Sequence, residues 1–505
     1  MYFLIQEGLV MRTSLSSKAT SFGLVLLAGI GLFAQIQCSS GGGDDGGSTA
    51  PPPAGVTGDV KAIARENALP GTGAWLISNA AASSQFAAYS NQESYPAGSD
   101  VSISVSANPA GQFTWRVFRM GGYGGTGGRL YAEGGPVSAP TQASPSFDSA
   151  TGLVRAGWPA TFSFSTRTSD GNPWLTGIYV VLLTKSDGLQ TYAIFILRDD
   201  TRNAEVALHV PTATWHAYNE FGGESLYMTT HGLSGGHARK VSLDRPITLG
   251  FGSGKFLYEE HEGVIWLEDM GYDVEYFASS DVGGAVNRLG GHRIYVTLAH
   301  DEYGTMATLD RLQAAVDSGT SLAFLTGNTL AWQIRYEDND RTIVGYKEMA
   351  AQDPVQGRTT TGHFRDSPVN RPENGLIGVL SDGSDNVTNF TGSAGDWVVT
   401  NANHWVYAGT GLTNGGTIPG LIYYEWDGLV NNGATPAGIT VLASSVVPNA
   451  VNPGSRHEAT IYERGPAVVF AAGTIFFNQH LRTQAAVAQI AKNVLTRAGA
   501  TPYVP

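Results

Sequence analysis

The feature that most constrains this chain is a change of hydrophobic grammar near residue 200. From about Gln92 to Asp199, short β-prone runs follow one another. DVSISVSA, QFTWRVFRM, ATFSFST, GIYVVLLT and TYAIFILR are separated by Gly, Pro, Asp and Ser. Strand after strand with turn residues at each break predicts an all-β, Ig-like sandwich. From about Ala204, strands and helices alternate. AEVALHV, YDVEYF, HRIYVTLAH, SLAFLTGN, GITVLASS and AVVFAAGT read as strands. GKFLYEEHEGVIWLEDMG, MATLDRLQAAVDSG and HLRTQAAVAQIAKNVLTRAG read as helices, with Leu257, Val264 and Leu267 near one face of the first and Leu309, Leu312 and Val316 on one face of the second. That alternation predicts a parallel-sheet α/β domain of Rossmann/flavodoxin-like type, with helices on both faces. The stretch from about Ala351 to Gly438 is polar, Gly-rich and aperiodic, and is expected to insert over the sheet as loops and small strands. The expected division is a β-sandwich domain at residues 71–200 and an α/β domain at 201–505.

Ahead of both lies a targeting segment. FGLVLLAGIGLFAQI, from Phe22 to Ile36, has the length of a signal h-region and follows Arg12 and Lys18. It is short for a membrane span. Cys38, the one cysteine of the chain, comes next, and then the Gly/Ser/Pro run SSGGGDDGGSTAPPPAGV. Residues 1–38 therefore read as a signal peptide of lipoprotein type, with Cys38 as the lipidated residue and Gln35 and Gln37 as departures from the usual motif. Residues 39–70 read as a flexible linker. The protein is expected to be exported, anchored by lipid at the periplasmic or cell-surface membrane, or else secreted. A single cysteine leaves no structural disulfide. A net charge of −13 and no basic stripe argue against nucleic-acid binding. A charged fraction of only 14% with 65 glycines suits a β-rich, loop-rich protein.

Open α/β sheets bind ligands beyond the carboxyl ends of their strands. There the sequence places Tyr218 and Asn219 in PTATWHAYNEFGGESLY, then His300-Asp301-Glu302-Tyr303, Asn328 and Thr474. A phenol, an imidazole, carboxylates and an amide thus share one sheet edge. There is no HExxH, no GxSxG elbow set between a strand and a helix, and no soft-ligand cluster. GFGSGK, Gly250 to Lys255, lacks the spacing of a phosphate loop. What remains is oxygen donors, which suit a hard cation such as Fe(III). Each residue also has a bland reading: Glu302 as a cap for MATLDRL, Tyr218 as packing, His300 as a hydrogen-bonding strand-end residue, Gly222 and Gly223 as turn formers.

Taken in order, ESYPAGSDVSISVS, VFRMGGYGGTGGR, WLTGIYVVLL, TWHAYNEFGGESLY, SLDRP, GYDVEYF, HDEY and TGNTLAWQI resemble the large (β) subunit family of N,N-dimethylformamidase and its C-terminal-domain relatives, from about Gln92 to Leu495. The resemblance implies hydrolysis of a small-molecule amide on a mononuclear iron, Fe(III), held by two tyrosines and one glutamate. Carried onto this chain, the ligands are Glu302, Tyr218 and Tyr179, with Tyr227 and Tyr303 as competitors for the second phenol. His300, Asn328 and Glu425 are the implied catalytic groups, with Glu458 as the alternative to Glu425. Where the family has His-Pro-Glu-Tyr, this chain has Asp301, an extra carboxylate beside the ligand. A small subunit or a homo-oligomer is the implied partner. Two rival readings remain: a non-catalytic surface lipoprotein that binds glycans or other ligands on the same scaffold, and a hydrolase that uses no metal.

Overall fold

The computed structural model describes residues 56–384, 395–447 and 450–504. The signal expected at 1–38, Cys38 and the linker up to residue 55 lie outside the described residues. The chain is mixed α/β with several sheets. Its first strands are β1 (Phe86–Ser90), β2 (Ser94–Pro96), β3 (Asp100–Ala107), β4 (Gly111–Met120), β5 (Gly128–Ala139), β6 (Phe162–Ser165), β7 (Gly177–Lys185) and β8 (Gln190–Arg198). They form a three-stranded sheet, β1-β3-β6, and a five-stranded sheet, β2-β8-β7-β4-β5. Side chains alternate between the faces of a strand, and here both faces are apolar. Tyr179, Val181 and Leu183 of β7, with Phe195 and Leu197 of β8, meet Val101, Ile103 and Val105 of β3 in one core. Ile178, Val180 and Leu182, with Ile194 and Ile196, point the other way into a second core. Each such side chain removed from water stabilises the fold by roughly 1.5–3 kcal/mol before entropy is counted.

That second core is shared with a seven-stranded sheet. Its strands are β9 (Val206–Val210), β10 (Val274–Ala278), β11 (Ile294–Ala299), β12 (Ser321–Thr326), β13 (Thr440–Val446), β14 (Arg456–Arg464) and β15 (Ala467–Ala471), in the order β10-β9-β11-β12-β15-β14-β13. The first five in that order pair in parallel. β14 and β13 add an antiparallel edge. The sequence reading missed β14, because RHEATIYER mixes charge into the run. Helices cover both faces, as expected. His261–Asp269 and Ala485–Arg497 pack on the side of Val206, Leu208 and Val296. Met306–Asp317 packs Leu309, Leu312 and Val316 on the side of Ala207, Tyr295 and Phe324. The 351–438 stretch contributes small strand pairs, among them Leu380–Ser384 with Glu425–Gly428. No helix among the described residues is long and apolar enough to cross a membrane.

One segment differs from its sequence reading. Within the span read as linker, Ala62–Asn67 is a helix with Ile63 fully buried. Asn67 Oδ1 accepts from the backbone N–H groups of Gly122 (2.7 Å) and Tyr123 (3.2 Å), and its Nδ2 donates to Glu268 (2.8 Å). The linker composition therefore gives way to docked structure before residue 70. Glu268 also takes a bidentate pair from Arg119 of β4, at 2.6 and 2.9 Å, with both side chains fully buried. The VFRMGGYGG motif thus ties the five-stranded sheet to the helix His261–Asp269.

Candidate functional site

The site grows from the ends of β9, β11 and β12. After β9, Pro211 leads into the helix Thr212–Tyr218, so the first part of the PTATWHAYNEFGGESLY stretch is helical. Proline suits a helix start, where an N–H would be unpaired anyway. The loop that follows is held from inside. Arg245 of SLDRP, fully buried, donates to the carbonyls of Asn219 (2.8 Å), Phe221 (2.9 Å) and Glu224 (2.9 Å). Burial pushes its guanidinium down to about 9. The Asn219 side chain stitches the same loop to Pro246 and Thr248. Gly222 and Gly223 take φ of 75° and 80°, the left-handed turn that glycine permits.

This bracing brings Tyr227 over Tyr218, with ring centroids 4.2 Å apart. The Tyr227 hydroxyl donates to Glu302 Oε1 and accepts from the Tyr303 hydroxyl at 2.7 Å. Glu302 is fixed through its backbone: its N–H donates to Thr214 Oγ1 (3.1 Å) and its carbonyl accepts from Trp332 (3.0 Å). Its Oε2 is buried and makes no hydrogen bond. Glu302 does not cap the helix Met306–Asp317, because Thr305 does, accepting from Thr308 N. Burial, reinforced by the Glu302 charge, raises the Tyr218, Tyr227 and Tyr303 phenols well above their usual range.

Facing this oxygen cluster is a second set. His300 Nε2 lies 2.8 Å from Glu425 Oε2 and 3.5 Å from Glu302 Oε2. Asn328 Nδ2 donates to Glu425 Oε2 at 3.1 Å. Lys255 Nζ stands 3.2 Å from His300 Nδ1 and 2.8 Å from Glu259. With Lys255 donating to Nδ1, the proton of neutral His300 sits on Nε2 and points at Glu425. Burial and Lys255 disfavour a charged His300, but Glu425 and Glu302 outweigh them and raise it. Burial would raise the Glu425 carboxyl, yet His300 and Lys255 hold it below the ordinary range. Lys347 Nζ lies 3.3 Å from the Tyr227 ring centroid and 4.9 Å from that of Trp332, and burial lowers its affinity for a proton.

The backbone is strained around this set. Ala299, just before His300, has φ 58°; Tyr424, just before Glu425, has φ 65°; Asn328 and Lys347 themselves have φ 52° and 54°. A non-glycine residue held there costs on the order of 1–3 kcal/mol, and such residues cluster where function requires a fixed geometry.

The structure therefore gathers Tyr218, Glu302, His300, Asn328 and Glu425. It does not gather Tyr179. The hydroxyl of Tyr179 donates to the Leu175 carbonyl (2.6 Å) and its ring stacks on Phe195 (5.3 Å), inside the sandwich core. The cause is register: Tyr179 points towards β3, and its neighbours Ile178 and Val180 point towards the α/β layer. Tyr227 stands beside Glu302 instead. Glu458 is also elsewhere, accepting from Leu429 N (2.6 Å) and Ser444 (3.1 Å). Thr474 donates to the Leu421 carbonyl (3.1 Å). The Asp301 carboxylate accepts from Thr297 (2.9 Å) and faces His209 (3.2 Å), which also meets Tyr295 and Ser279. Lys255 and Lys347 were not foreseen. Lys255 sits in GFGSGK, which lacks the spacing of a phosphate loop and carried no other reading, and Lys347 sits in a stretch with no motif.

Among the described residues, no group of three or more His, Cys, Asp and Glu is arranged to hold a metal ion. The donor set here is different in kind, two stacked phenols and a carboxylate with one oxygen that takes no hydrogen bond, and hard cations favour such oxygens. The residues fit an iron(III) ion on that ground. A model of the family described as N,N-dimethylformamidase beta subunit-like, C-terminal, matches residues 114–491. No curated protein matches the chain.

Proposed function

The chain belongs to the N,N-dimethylformamidase beta subunit-like family, and from that premise we propose that it is an amide hydrolase, cleaving a C–N bond at the cluster around Glu302. The observation that carries this reading is the buried Glu302 Oε2, which takes no hydrogen bond and stands 3.5 Å from His300 Nε2, beside two stacked phenols and the His300–Glu425–Asn328 set. Tyr218, Tyr227 and Glu302 would hold a mononuclear iron. When bound, iron supplies Lewis-acid polarisation of the carbonyl and makes water a stronger acid. The rest is the work of this chain. Asn328 Nδ2 fixes Glu425 and presents an amide to the substrate. The His300–Glu425 pair shares a proton at Nε2 and Oε2 that is delivered to the departing amine. Lys347, on the Tyr227 face, adds positive charge where negative charge develops.

The same reading includes export by the 1–38 signal with lipid on Cys38, an Ig-like form for the sandwich, and a Rossmann/flavodoxin-like form for the seven-stranded sheet. It also includes the division at residue 200. A family described by a beta subunit leaves room for a small partner subunit.

The test is metal content and colour. Protein reconstituted with iron should hold about one iron per chain and show a tyrosinate-to-iron band. Tyr218→Phe, Tyr227→Phe and Glu302→Ala should each lose metal or shift the band. Glu425→Gln should keep the metal and lower kcat on small formamides by about 10²–10⁴-fold. A colourless protein that binds no iron would sink the reading and favour a ligand-binding lipoprotein or a hydrolase without metal.

A further inference from the structure

A cavity of about 480 Å3 opens between the turn of the Ser146–Asp148/Leu153–Arg155 hairpin, the 231–239 segment and the stretch that follows Gly345. That is the size of a small-molecule site. Ser149, His231, Ser234, Tyr346 and Gln352 line it with Arg239, and no Asp or Glu does.

Arg239 is the unusual member. It is 95% buried, since only 5% of its surface is exposed, and among the described residues no carboxylate lies within ion-pair distance of it. Buried charges are ordinarily paired. A guanidinium has five N–H donors in a fixed fork. Only Nη2 is used by the protein, donating to Ser234 O (2.9 Å) and Ser234 Oγ (2.7 Å) beside the Met349 sulfur (3.4 Å). Nε and Nη1 make no hydrogen bond to protein, and neither is sealed from solvent. Three N–H donors of a cavity-lining guanidinium are therefore left without a protein partner.

The opposite wall is preset as well. The His231 ring stacks on Phe147 with centroids 4.1 Å apart, and its Nδ1 lies 2.7 Å from Glu224 Oε1. With Nδ1 committed to Glu224, the ring is held in place. The hydroxyls of Ser149 and Ser234 add neutral donors.

We propose that this cavity binds an oxyanion, the carboxylate or phosphate of a small organic acid, with Arg239 as its charge partner. With Nη2 held by Ser234, the Nε and Nη1 donors remain for single charge-assisted hydrogen bonds to the oxygens of a carboxylate or a phosphate. The site does not depend on the amidase reading. It lies in the same two chain segments as the candidate centre, because His231 follows Tyr227 in one loop and Tyr346 precedes Lys347. The anion is thus either a free acid or the charged end of a longer substrate.

The experiment is calorimetric titration of the metal-free full-length protein at low ionic strength with malonate, with inorganic phosphate and with neutral malonamide. Malonate or phosphate is expected to bind at least about tenfold more tightly than malonamide, as a charge-assisted pair requires. The preferred anion identifies the source, carboxylic acid or phosphate. Arg239→Gln should weaken binding tenfold or more. Because that change also removes the Ser234 bracket, Gln352→Glu is the companion variant: it leaves the bracket intact, puts a carboxylate into the lining, and should weaken anion binding to the same degree. No binding of either anion, equal binding of malonamide, or unchanged affinity in a folded Arg239→Gln or Gln352→Glu protein would overturn the proposal.

Discussion

At the scale of single residues, register decides which tyrosine does what. Tyr179 lies on the sandwich side of β7, and its hydroxyl is spent on a carbonyl. Tyr179→Phe is therefore expected to cost about 1 kcal/mol in urea unfolding, the net worth of one buried hydrogen bond, and to leave iron content and colour unchanged. Asp301 invites a similar separation. Its carboxylate serves Thr297 and faces His209, and does not reach the phenols. Asp301→Asn should destabilise by about 1–3 kcal/mol, because an amide satisfies that buried network poorly, while the iron band keeps its position. Equal loss of iron in both variants would show that the sandwich side or the Asp301 network reaches the centre. Much of the cluster was legible because His300, Glu302 and Asn328 follow strands directly, so periodicity puts them at one sheet edge, while Tyr218 reaches the same edge from the far end of the helix after β9. Tyr227 and Lys347 were not placed by periodicity. Tyr227 is brought to Glu302 by the Arg245 brace, a contact between two aperiodic segments, and Lys347 is set by a left-handed backbone that no pattern of apolar residues announces.

At the scale of elements, GFGSGK shows how a motif can be packing chemistry. Gly250, Gly252 and Gly254 have φ of 56°, 107° and 65°. A Cβ on Gly252 would sit 2.0 Å from the Tyr192 carbonyl oxygen, and one on Gly254 would sit 2.6 Å from the Trp215 ring. The glycines let this turn press against β8 and the helix Thr212–Tyr218, and that closeness delivers Lys255 to His300. Gly252→Ala is expected to cost roughly 2–4 kcal/mol, overpacking plus a left-handed backbone. Its melting temperature should fall well below that of Gly465→Ala, where the turn meets nothing within 4 Å. Similar losses at the two positions would mean that the close approach carries no weight. Elements with a continuous β-branched and aromatic run between turn residues, such as β7, β8 and β11, or with a clear helical face, such as Met306–Asp317, were readable from the sequence. TATWHAY was not, because a seven-residue helix with four buried bulky or polar side chains has no solvent face to mark its period.

At the scale of the whole molecule, three layers are stacked by strands that are apolar on both faces, and such layers trap ionisable groups away from water. Glu260 and Glu275 are two of them. Burial, with the Glu259 charge added for Glu260, raises each carboxyl to about 8. Each also keeps one buried oxygen without a hydrogen bond. The folded state therefore holds protons that the unfolded chain releases near its ordinary carboxyl range. More protons bound in the folded state means that stability falls as pH rises through that window. Three buried histidines act in the opposite sense at lower pH. His261, His292 and His457 donate to the carbonyls of Gly127, Ala204 and Ala472, and burial pushes each down to about 4. They are neutral in both states only above about pH 7.5, where the unfolded imidazoles have also lost their protons, and contribute no slope there. Between about pH 4.5 and 7.5 the two sets oppose each other. From pH 6.5 to 8 the carboxyls outweigh the histidines, which together offset about 1 kcal/mol, and stability is expected to decline by about 2 kcal/mol in all. Urea unfolding at pH 6.5 and pH 8 checks this, and Glu275→Gln, which keeps the shape and removes the proton, should flatten the decline. A wild-type protein equally stable at both values would mean that water or a counter-charge reaches these carboxyls.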